Sequence, residues 1–315
     1  MSLIEQAAKR LEQLRQAGVE LPEETSLPRI AQERAPETPT LKATLTEPVI
    51  AHKLEQEQSQ VAPKPQPSVS KRVELNIEAI SASGLLTPQA SRTQLADEYR
   101  VIKRPLITNA MGKGSTPIPN GNLIMVTSAV PGEGKSFTAI NLAISIAMEL
   151  DNTVMLVDAD VARPSVLNML GLPPAPGLLD VVDKNSVDIS GVLLRTNIEK
   201  LSILPSGTQH PRATELLASD AMVRLLDDMA SRYSDRIIIF DSPPLLLTTE
   251  SRALATHMGQ IVIVVHAEKT GQAAVKQAIA AIEECPVKMM LLNQARQASA
   301  DGYGYGYGYG YGHEK

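Results

Sequence analysis

The sequence contains very little cysteine, few aromatic residues and no long apolar run. Its single cysteine, Cys285, excludes an intramolecular disulfide and a cysteine-based metal cluster, which favours a reducing compartment. Tryptophan is absent and aromatic residues make up 3% of the chain, so aliphatic side chains must fill any core. Apolar runs such as residues 261–265 are far shorter than the roughly 20 residues that a membrane-spanning helix needs. We therefore expect a cytoplasmic protein that does not insert directly into a membrane.

The sequence also lacks an excess of basic residues. It has 30 Lys and Arg against 35 Asp and Glu, which gives a formal net charge of −5 at pH 7. Binding to nucleic acid is driven by dense Lys and Arg, so this balance argues against nucleic acid as a partner. Hydrophobic residues nevertheless make up 43% of the chain, which is enough for a buried core.

Composition divides the chain into five predicted segments. Residues 1–18 have capping-box spacing and apolar residues at helical intervals, which predicts an amphipathic helix. Residues 19–72 are rich in Pro, Glu and Gln, which predicts a largely disordered linker. A helical lead-in over 73–121 precedes the main domain over 122–295, and a flexible Tyr/Gly tail occupies 296–315.

The main domain alternates short β-branched runs with helical patterns. This alternation is typical of βαβ units and predicts an α/β fold with a mostly parallel sheet flanked by helices. The predicted strands cover 123–128, 154–157, 201–204, 236–240, 260–265 and 288–292. The predicted helices cover 136–150, 213–233, 249–257 and 271–284, and an earlier one includes 94–103.

A phosphate-binding loop is predicted where NLIMVTSAVPGEGKSFTAINL, residues 122–142, passes from a strand into a helix. Gly134, Lys135 and Ser136 match the P-loop pattern G-x-x-x-x-G-K-[ST], although Ala129 stands at the first glycine position. Loop amides and a helix N-terminus wrap phosphates in such loops, and a plain structural turn would not explain the lysine and serine. We therefore predict a nucleotide site formed by Val130, Pro131, Gly132, Glu133, Gly134, Lys135, Ser136 and Phe137.

Acidic residues follow two of the predicted strands. VMLVDAD places Asp158 just past one strand with Asp160 two residues later, and RIIIFDSPP ends another strand at Asp241. Ligands of parallel sheets bind at the carboxyl ends of strands, and Mg²⁺ requires hard oxygen ligands. The pattern therefore predicts a magnesium site, although each aspartate taken singly is equally well explained as a helix cap or turn acid.

Taken together, these motifs resemble those of the bacterial tyrosine kinases (BY-kinases), a P-loop family unrelated in fold to eukaryotic protein kinases. SAVPGEGKS resembles the Walker A motif, VMLVDADVARP the second Asp-containing motif, and IIIFDSPP the Walker B motif. SLIEQAAKRLEQLRQAG, GLLTP and EYRVIKRPL further resemble the stand-alone tyrosine autokinases of exopolysaccharide loci associated with exosortase (PEP-CTERM) systems. The resemblance implies a P-loop NTPase fold and an ATP- and Mg²⁺-dependent protein-tyrosine autokinase that regulates exopolysaccharide polymerisation or export.

The resemblance also implies a role for each matched residue of the site. Lys135 would hold the outer phosphates of ATP and Ser136 would ligate magnesium. Asp241 would bind the same ion directly or through water. Asp158 would orient or deprotonate the attacking tyrosine next to the metal, and Asp160 would assist; either of the two could be the base.

Further residues are implied to contact the base and neighbouring subunits. Asn293 stands where related P-loop proteins place an adenine-contacting asparagine. A family element that packs subunits into a ring aligns with Asp97, Arg100 and Lys103, and Arg163 precedes a proline as in the family motif. We expect a homo-oligomeric ring that uses these residues, although lysine lacks the bidentate fork of arginine. The alternatives are a solvated helix face for the first three and a plain surface charge for Arg163.

The tail carries the predicted phosphoacceptors. Glycine alternates with five tyrosines there: Tyr303, Tyr305, Tyr307, Tyr309 and Tyr311. Glycine keeps the backbone mobile, and an extended chain covers about 3.3–3.6 Å per residue, so the tail can reach a neighbouring subunit. We expect phosphorylation in trans within an oligomer; the alternative is a low-complexity terminus without function.

Two other functions compete with the kinase. One is an ATPase switch of the MinD/ParA kind, but those proteins share a lysine at the position that Val130 occupies here. The other is a non-catalytic, nucleotide-dependent scaffold for polysaccharide assembly. The kinase resemblance implies a separate membrane-bound polysaccharide co-polymerase (chain-length determinant) as activator and a cognate phosphatase. The protein would then lie at the inner face of the cell membrane through its activator.

Overall fold

The computed structural model describes residues 70–90, 92–183, 188–232 and 235–296. The predicted N-terminal helix, nearly all of the predicted linker and the five tail tyrosines lie outside these residues. Within the described part of the chain, no helix is both long enough and apolar enough to cross a membrane.

An eight-stranded sheet forms the centre of the fold, and all its neighbouring strands are parallel except β4 and β5. The spatial order is β1-β4-β5-β3-β6-β2-β7-β8. The six predicted strands are all present, and the sheet already begins at Lys71, within the predicted linker. The strands are β1 Lys71–Arg72, β2 Leu123–Ser128, β3 Thr153–Asp158, β4 Leu194–Arg195, β5 Leu201–Leu204, β6 Arg236–Asp241, β7 Gln260–His266 and β8 Val287–Asn293.

Ten α-helices are present in the described residues, together with a short 3-10 helix at Pro88–Ala90. The prediction of one helix over 213–233 was wrong, because two helices occupy this stretch. They separate at Ser219, whose hydroxyl donates to the carbonyl of Leu216 and accepts from the amide of Met222. The helices are α1 Ile77–Ala82, α2 Gln94–Ala110, α3 Lys135–Ala147, α4 Val166–Met169, α5 Leu178–Asp183, α6 Ile189–Val192, α7 Ala213–Leu217, α8 Asp220–Arg232, α9 Thr249–Ala255 and α10 Gln272–Ala280.

The helices cover both faces of the sheet, as expected for strands that are apolar on both sides. Successive residues of β2 show this: Leu123 and Met125 pack on one face, and Ile124 and Val126 on the other. Helices α1 to α4 contribute to the second face, and α5 to α10 contribute to the first. Strands β2, β3 and β6 are consequently buried, and only their ends can reach a ligand.

Candidate functional site

Three neighbouring strands bring the predicted site residues to one edge of the sheet. Strand β6 lies between β3 and β2, and Asp241 is the register partner of Asp158 on one side and of Val126 on the other. The loop that follows β2 leads into α3 at Lys135. The carboxyl ends of these parallel strands therefore bring the two aspartates and the phosphate loop together.

The loop before α3 depends on glycine at two positions. Gly132 has φ = 83° and Gly134, which caps α3, has φ = 92°, a region that other residues rarely adopt. A Cβ at Gly134 would also overlap the side-chain amide of Asn293. The backbone turn thus favours glycine at position 134, and a larger residue would also displace the Asn293 side chain.

The Lys135 ammonium lies among carboxylates. Its Nζ is 2.6 Å from an Asp160 oxygen and 3.9 Å from Oδ1 of Asp241, and it donates to the Ser136 hydroxyl at 3.4 Å. Burial alone would lower the pKa of Lys135, but the charges of Asp241 and Asp160 outweigh it and raise this pKa above its ordinary value. Lys135 is therefore a fixed positive charge at the mouth of α3.

The two carboxylate oxygens of Asp158 differ in their hydrogen bonding. Its Oδ2 accepts from the amides of Ser165 and Val166 at 3.1 and 3.0 Å, whereas its buried Oδ1 has no hydrogen-bond partner among the described residues. Burial and the neighbouring Asp241 raise the pKa of Asp158 to about 7. The side chain is oriented by backbone amides and presents an unused acceptor.

Asp241 is fully buried, and neither of its carboxylate oxygens has a hydrogen-bond partner among the described residues. Burial raises its pKa to about 6, against the opposing effect of the Lys135 charge. Buried polar atoms are normally paired, so three unpaired carboxylate oxygens on two adjacent aspartates are a strong signal. They indicate a position for a cation or a hydrogen-bond donor that the described residues do not supply.

Ser165 is a site residue that sequence reasoning missed. Its hydroxyl donates to Ser136 at 2.8 Å, and its amide binds Asp158, so it joins the two sides of the site. A serine after a proline, just before a short helix, carried no distinctive pattern. Its place in the site depends on α4 starting against the end of β3.

Glu133 points into the protein, although the sequence placed it in the nucleotide site. Its carboxylate accepts from the amides of Val130 and His266 at 2.8 and 3.4 Å and from the hydroxyl of Thr270. The side-chain amide of Asn293 donates to the Glu133 carbonyl at 2.9 Å. Glu133 is only 2% exposed, so its side chain ties the loop to the ends of β7 and β8.

The other predicted loop residues differ in exposure. Pro131 and Gly132 are exposed, while Val130 and Phe137 are half-buried and pack against the two cores. The nucleotide contacts predicted for Val130 and Phe137 would therefore involve their backbone more than their side chains.

The predicted interface residues fall into two groups. Asp97 and Arg100 form an ion pair on the exposed side of α2, and Arg163 is also exposed. Lys103 is buried, and its Nζ lies 2.6 Å from both the Ser145 carbonyl and the carboxylate of Glu149. The structure thus gives Lys103 contacts within the chain near the end of α3, whereas Asp97 and Arg163 are exposed and Arg100 is half-buried beside Asp97.

The region that contains the site is similar to a known family and to known proteins. A family model described as "AAA domain" matches residues 121–294. Tyrosine-protein kinase YwqD of Bacillus subtilis is 34% identical over 167 residues, which cover 53% of this chain and 69% of that protein. The putative tyrosine-protein kinase EpsB of Ralstonia nicotianae is 30% identical over 168 residues, which cover 53% of this chain but 22% of that protein.

A solved structure has a similar fold. The crystal structure of the chimerical protein CapA2B2 superposes with a TM-score of 0.55 and 25% sequence identity, and the match covers 70% of this chain and 93% of that chain. The region that the family model matches contains the phosphate loop and all three aspartates.

Proposed function

This chain belongs to the bacterial tyrosine-protein kinases, and on that basis we propose that it transfers the γ-phosphoryl group of ATP to the tyrosines of its own tail. The observation that carries the proposal is the buried charge cluster at the mouth of α3. There the Lys135 ammonium faces Asp160 and Asp241, beside carboxylate oxygens that accept no hydrogen bond from the described residues. Such a cluster suits a phosphoryl group that arrives with its own counter-ion.

The proposed reaction follows the usual balance of phosphoryl transfer. The phenol oxygen of a tyrosine forms a bond to the γ-phosphorus, and the bond from this phosphorus to the β–γ bridging oxygen breaks. ADP leaves with the electron pair, and the phenol proton passes to a carboxylate, either Asp158 or Asp160. Lys135 offsets the negative charge that the phosphate oxygens carry through the transfer.

The residues present fit Mg²⁺ as the accompanying cation. The atoms that would ligate the ion are all oxygen atoms: the carboxylate oxygens of Asp241, the hydroxyl of Ser136 and Oδ1 of Asp158. Oxygen-only donor sets of this kind suit a hard cation. Ser136 would ligate the ion, with Asp241 binding directly or through water and Asp158 adjoining it. When bound, magnesium would supply positive charge to the phosphates.

The acceptors in this proposal are Tyr303, Tyr305, Tyr307, Tyr309 and Tyr311. Each is flanked by glycine, so any one of them can approach a site without steric cost from its neighbours. Five phosphotyrosines would carry roughly −7 to −10 charges. We expect that this charge separates the subunits of a ring, so that unmodified chains assemble and phosphorylated chains come apart. Light scattering before and after ATP addition measures this change, and an unchanged particle size would contradict it.

The proposed partners follow from the family resemblance and from the exposed charges of α2. The Asp97–Arg100 pair and Arg163 would contribute to contacts between copies in a ring. A membrane-bound polysaccharide co-polymerase would activate the kinase and hold it at the inner face of the cell membrane, and a cognate phosphatase would reset the tail. The biological role would be control of exopolysaccharide polymerisation or export.

The proposal is tested by incubating the purified chain with ATP and Mg²⁺ and detecting phosphotyrosine. The kinase gains signal on the tail, whereas an ATPase switch releases phosphate without gaining it and a scaffold does neither. Phosphate release from ATP without any tail signal would replace the kinase with the ATPase.

A further inference from the structure

Strand β8 forms one end of the sheet, and its outer edge has no strand partner in the described part of the chain. The spatial order ends with β8, which pairs with β7 along Val287–Asn293. An unpaired edge of this length presents a row of backbone N–H and C=O groups that can pair with another strand. The outer edge of β8 is therefore a place for one further strand.

The two faces of β8 differ in how well they are covered. Met289 and Leu291 are half-buried and pack against the core on the α2 side. Lys288, Met290 and Leu292 alternate with them and lie on the other face, where Met290 and Leu292 are each 64% exposed. Two large apolar side chains that share one face and remain in water indicate a surface that a partner covers.

The tail has the pattern that such a strand would need. Tyrosine and glycine alternate over residues 303–311, so in an extended chain all five tyrosines share one face and the glycines the other. Tyrosine is favoured in strands and packs well against large side chains across a strand pair. Glycine suits the α2 side, because Ile102 and Pro105 already border β8 there, along a cavity of about 290 Å³. The tyrosines then belong on the face of Met290 and Leu292.

The chain between β8 and the tyrosines is long enough to turn back. Gln294 has φ = 55°, so the extended backbone of β8 ends there, and Arg296 lies 3.9 Å from the carboxylate of Glu268, which follows β7. A strand beyond β8 would lie about 10 Å from β7, and residues 297–302 span up to about 20 Å when extended. The pair Asp301-Gly302, just before the first tyrosine, is a typical turn dipeptide.

We propose that the unmodified tail docks on the outer edge of β8 as a ninth strand, antiparallel to β8, with its first three tyrosines on the exposed face. The opposite pairs are Tyr303 with Leu292, Tyr305 with Met290, and Tyr307 with Lys288. In this register Tyr309 and Tyr311 reach past the start of β8.

Docking itself goes beyond the proposed kinase function, and only its release on phosphorylation rests on that function. A phosphotyrosine carries about −1.5 to −2 charges and would not remain against Met290 and Leu292. The docked tyrosines are withheld from the phosphate site until the tail leaves β8, whereas Tyr309 and Tyr311 are accessible first.

Hydrogen exchange of the full-length, unphosphorylated chain without nucleotide tests the docking. The amides of residues 303–307 should exchange about 10-fold more slowly than in a synthetic peptide of residues 297–311. Met290→Asp combined with Leu292→Asp should remove this protection. The matched control, Leu150→Asp, changes an exposed apolar residue just after α3 and should retain it. Exchange at the peptide rate in the unaltered chain would overturn the docking. Protection that appears only at high protein concentration would show pairing between copies and would also overturn it.

Disulfide formation tests the register. Met290→Cys with Tyr305→Cys should link under mild oxidation about 10-fold faster than Glu268→Cys with Tyr305→Cys, because opposite strand positions bring the two sulfurs within bonding distance. Glu268 is a stringent control, since it lies beside Arg296 at the start of the tail but away from the outer edge. The natural Cys285 is buried. Equal rates in the two variants would overturn the proposed pairing.

Addition of ATP and Mg²⁺ separates the docking from the kinase function. Mass spectrometry should find phosphate on Tyr309 and Tyr311 before Tyr303 and Tyr305, and exchange of residues 303–307 should then rise to the peptide rate. Protection that persists in a fully phosphorylated tail would overturn the docking. Absence of phosphotyrosine would instead overturn the proposed function and leave the docking, which is measured without ATP.

Discussion

The two sides of the site differ in how completely their polar groups are paired. On the loop side, the Glu133 carboxylate and the Asn293 amide are engaged in hydrogen bonds that hold residues 130–134 against β7 and β8. On the strand side, Asp158 and Asp241 carry buried oxygens without partners in the described part of the chain. Paired groups are what a fold needs for its own shape, whereas unpaired buried charges persist where a ligand completes them.

The comparison separates residues that shape the site from residues that meet the substrate. By this criterion Glu133 shapes the loop, although its position in the motif suggested contact with nucleotide. We propose by the same criterion that Asp158 and Asp241 meet the ligand, although each taken singly was equally well explained as a structural acid. The pairing state of a side chain then indicates its role more directly than its place in a motif.

The largest effect is expected from Lys135→Met, which removes the one ammonium in the cluster. Without it, the phosphate oxygens lose their fixed positive charge, and tail phosphorylation should fall by about 10³-fold. The rate of phosphotyrosine formation measures this. Lys276→Met, at an exposed position of α10, is the matched control and should retain full activity. Comparable rates in the two variants would mean that Lys135 does not act on the phosphate.

Asp241→Asn should change activity and folding stability in opposite directions. Activity should fall by about 10²-fold because a cation ligand is lost. The nucleotide-free protein should become more stable by about 1–3 kcal/mol, because the variant no longer buries a carboxylate that the single charge of Lys135 only partly offsets. Both effects are measured on one preparation, by kinase assay and by urea unfolding.

The pH dependence of unfolding gives the sign of this effect. The folded-state pKa is about 6 for Asp241 and about 7 for Asp158, both above the ordinary value of 3.8. Between about pH 4 and pH 7 the folded protein therefore binds more protons than the unfolded chain, so these groups reduce stability as the pH rises. Asp241→Asn should flatten this slope, and Asp227→Asn on the exposed side of α8 should leave it unchanged. Equal slopes in the two variants would show that burial does not raise the pKa of Asp241.

Glu133→Gln tests whether Glu133 shapes the loop without taking part in the chemical step. The amide retains the size of the side chain but replaces one acceptor with a donor, so it cannot satisfy Val130, His266 and Thr270 together. We expect nucleotide affinity to weaken by about 10-fold through a looser loop, with kcat changed by less than about twofold. Calorimetry with a non-hydrolysable ATP analogue measures the first and steady-state kinetics the second. Glu268→Gln, at an exposed position just after β7, serves as control. A large loss of kcat in Glu133→Gln would show that Glu133 takes part in the chemical step.

The smallest effect is expected from Lys103→Met. The variant leaves the Ser145 carbonyl and Glu149 without their lysine donor and should cost about 1 kcal/mol of folding stability. Assembly should be unaffected, because the Lys103 ammonium is buried within one chain. Arg100→Ala, on the exposed side of α2, should show the reverse pattern in unfolding and light-scattering measurements. If Lys103→Met lost assembly and Arg100→Ala did not, Lys103 would belong to the interface between copies.

The sequence was sufficient for the parts of the fold that repeat a strong local pattern. The six longer strands were predicted because each is a largely apolar run, and Asp158 and Asp241 were predicted as site residues because each ends such a run. The strands β1 and β4 have two residues each and carry no periodicity to detect. The break at Ser219 was missed because a single serine within an amphipathic stretch is compatible with a continuous helix.

Contacts between distant parts of the chain account for what the sequence did not predict. The hydrogen bond between Glu133 and Thr270 joins residues 137 positions apart, and that between Lys103 and Ser145 joins residues 42 positions apart. The Asp180 carboxylate likewise accepts from the amide of Thr208, 28 positions away. Such pairs are fixed by the packing of the sheet and leave no periodic pattern in the sequence.

The most direct test of the central claim is mass spectrometry of residues 296–315 after the chain turns over ATP and Mg²⁺. The account predicts phosphate on Tyr303, Tyr305, Tyr307, Tyr309 or Tyr311 in the unaltered chain and none in Lys135→Met. The measurement is made on the chain alone and on the chain mixed with the cytoplasmic segment of the proposed co-polymerase. A tail that carries no phosphate in either sample while ATP is consumed would contradict the account.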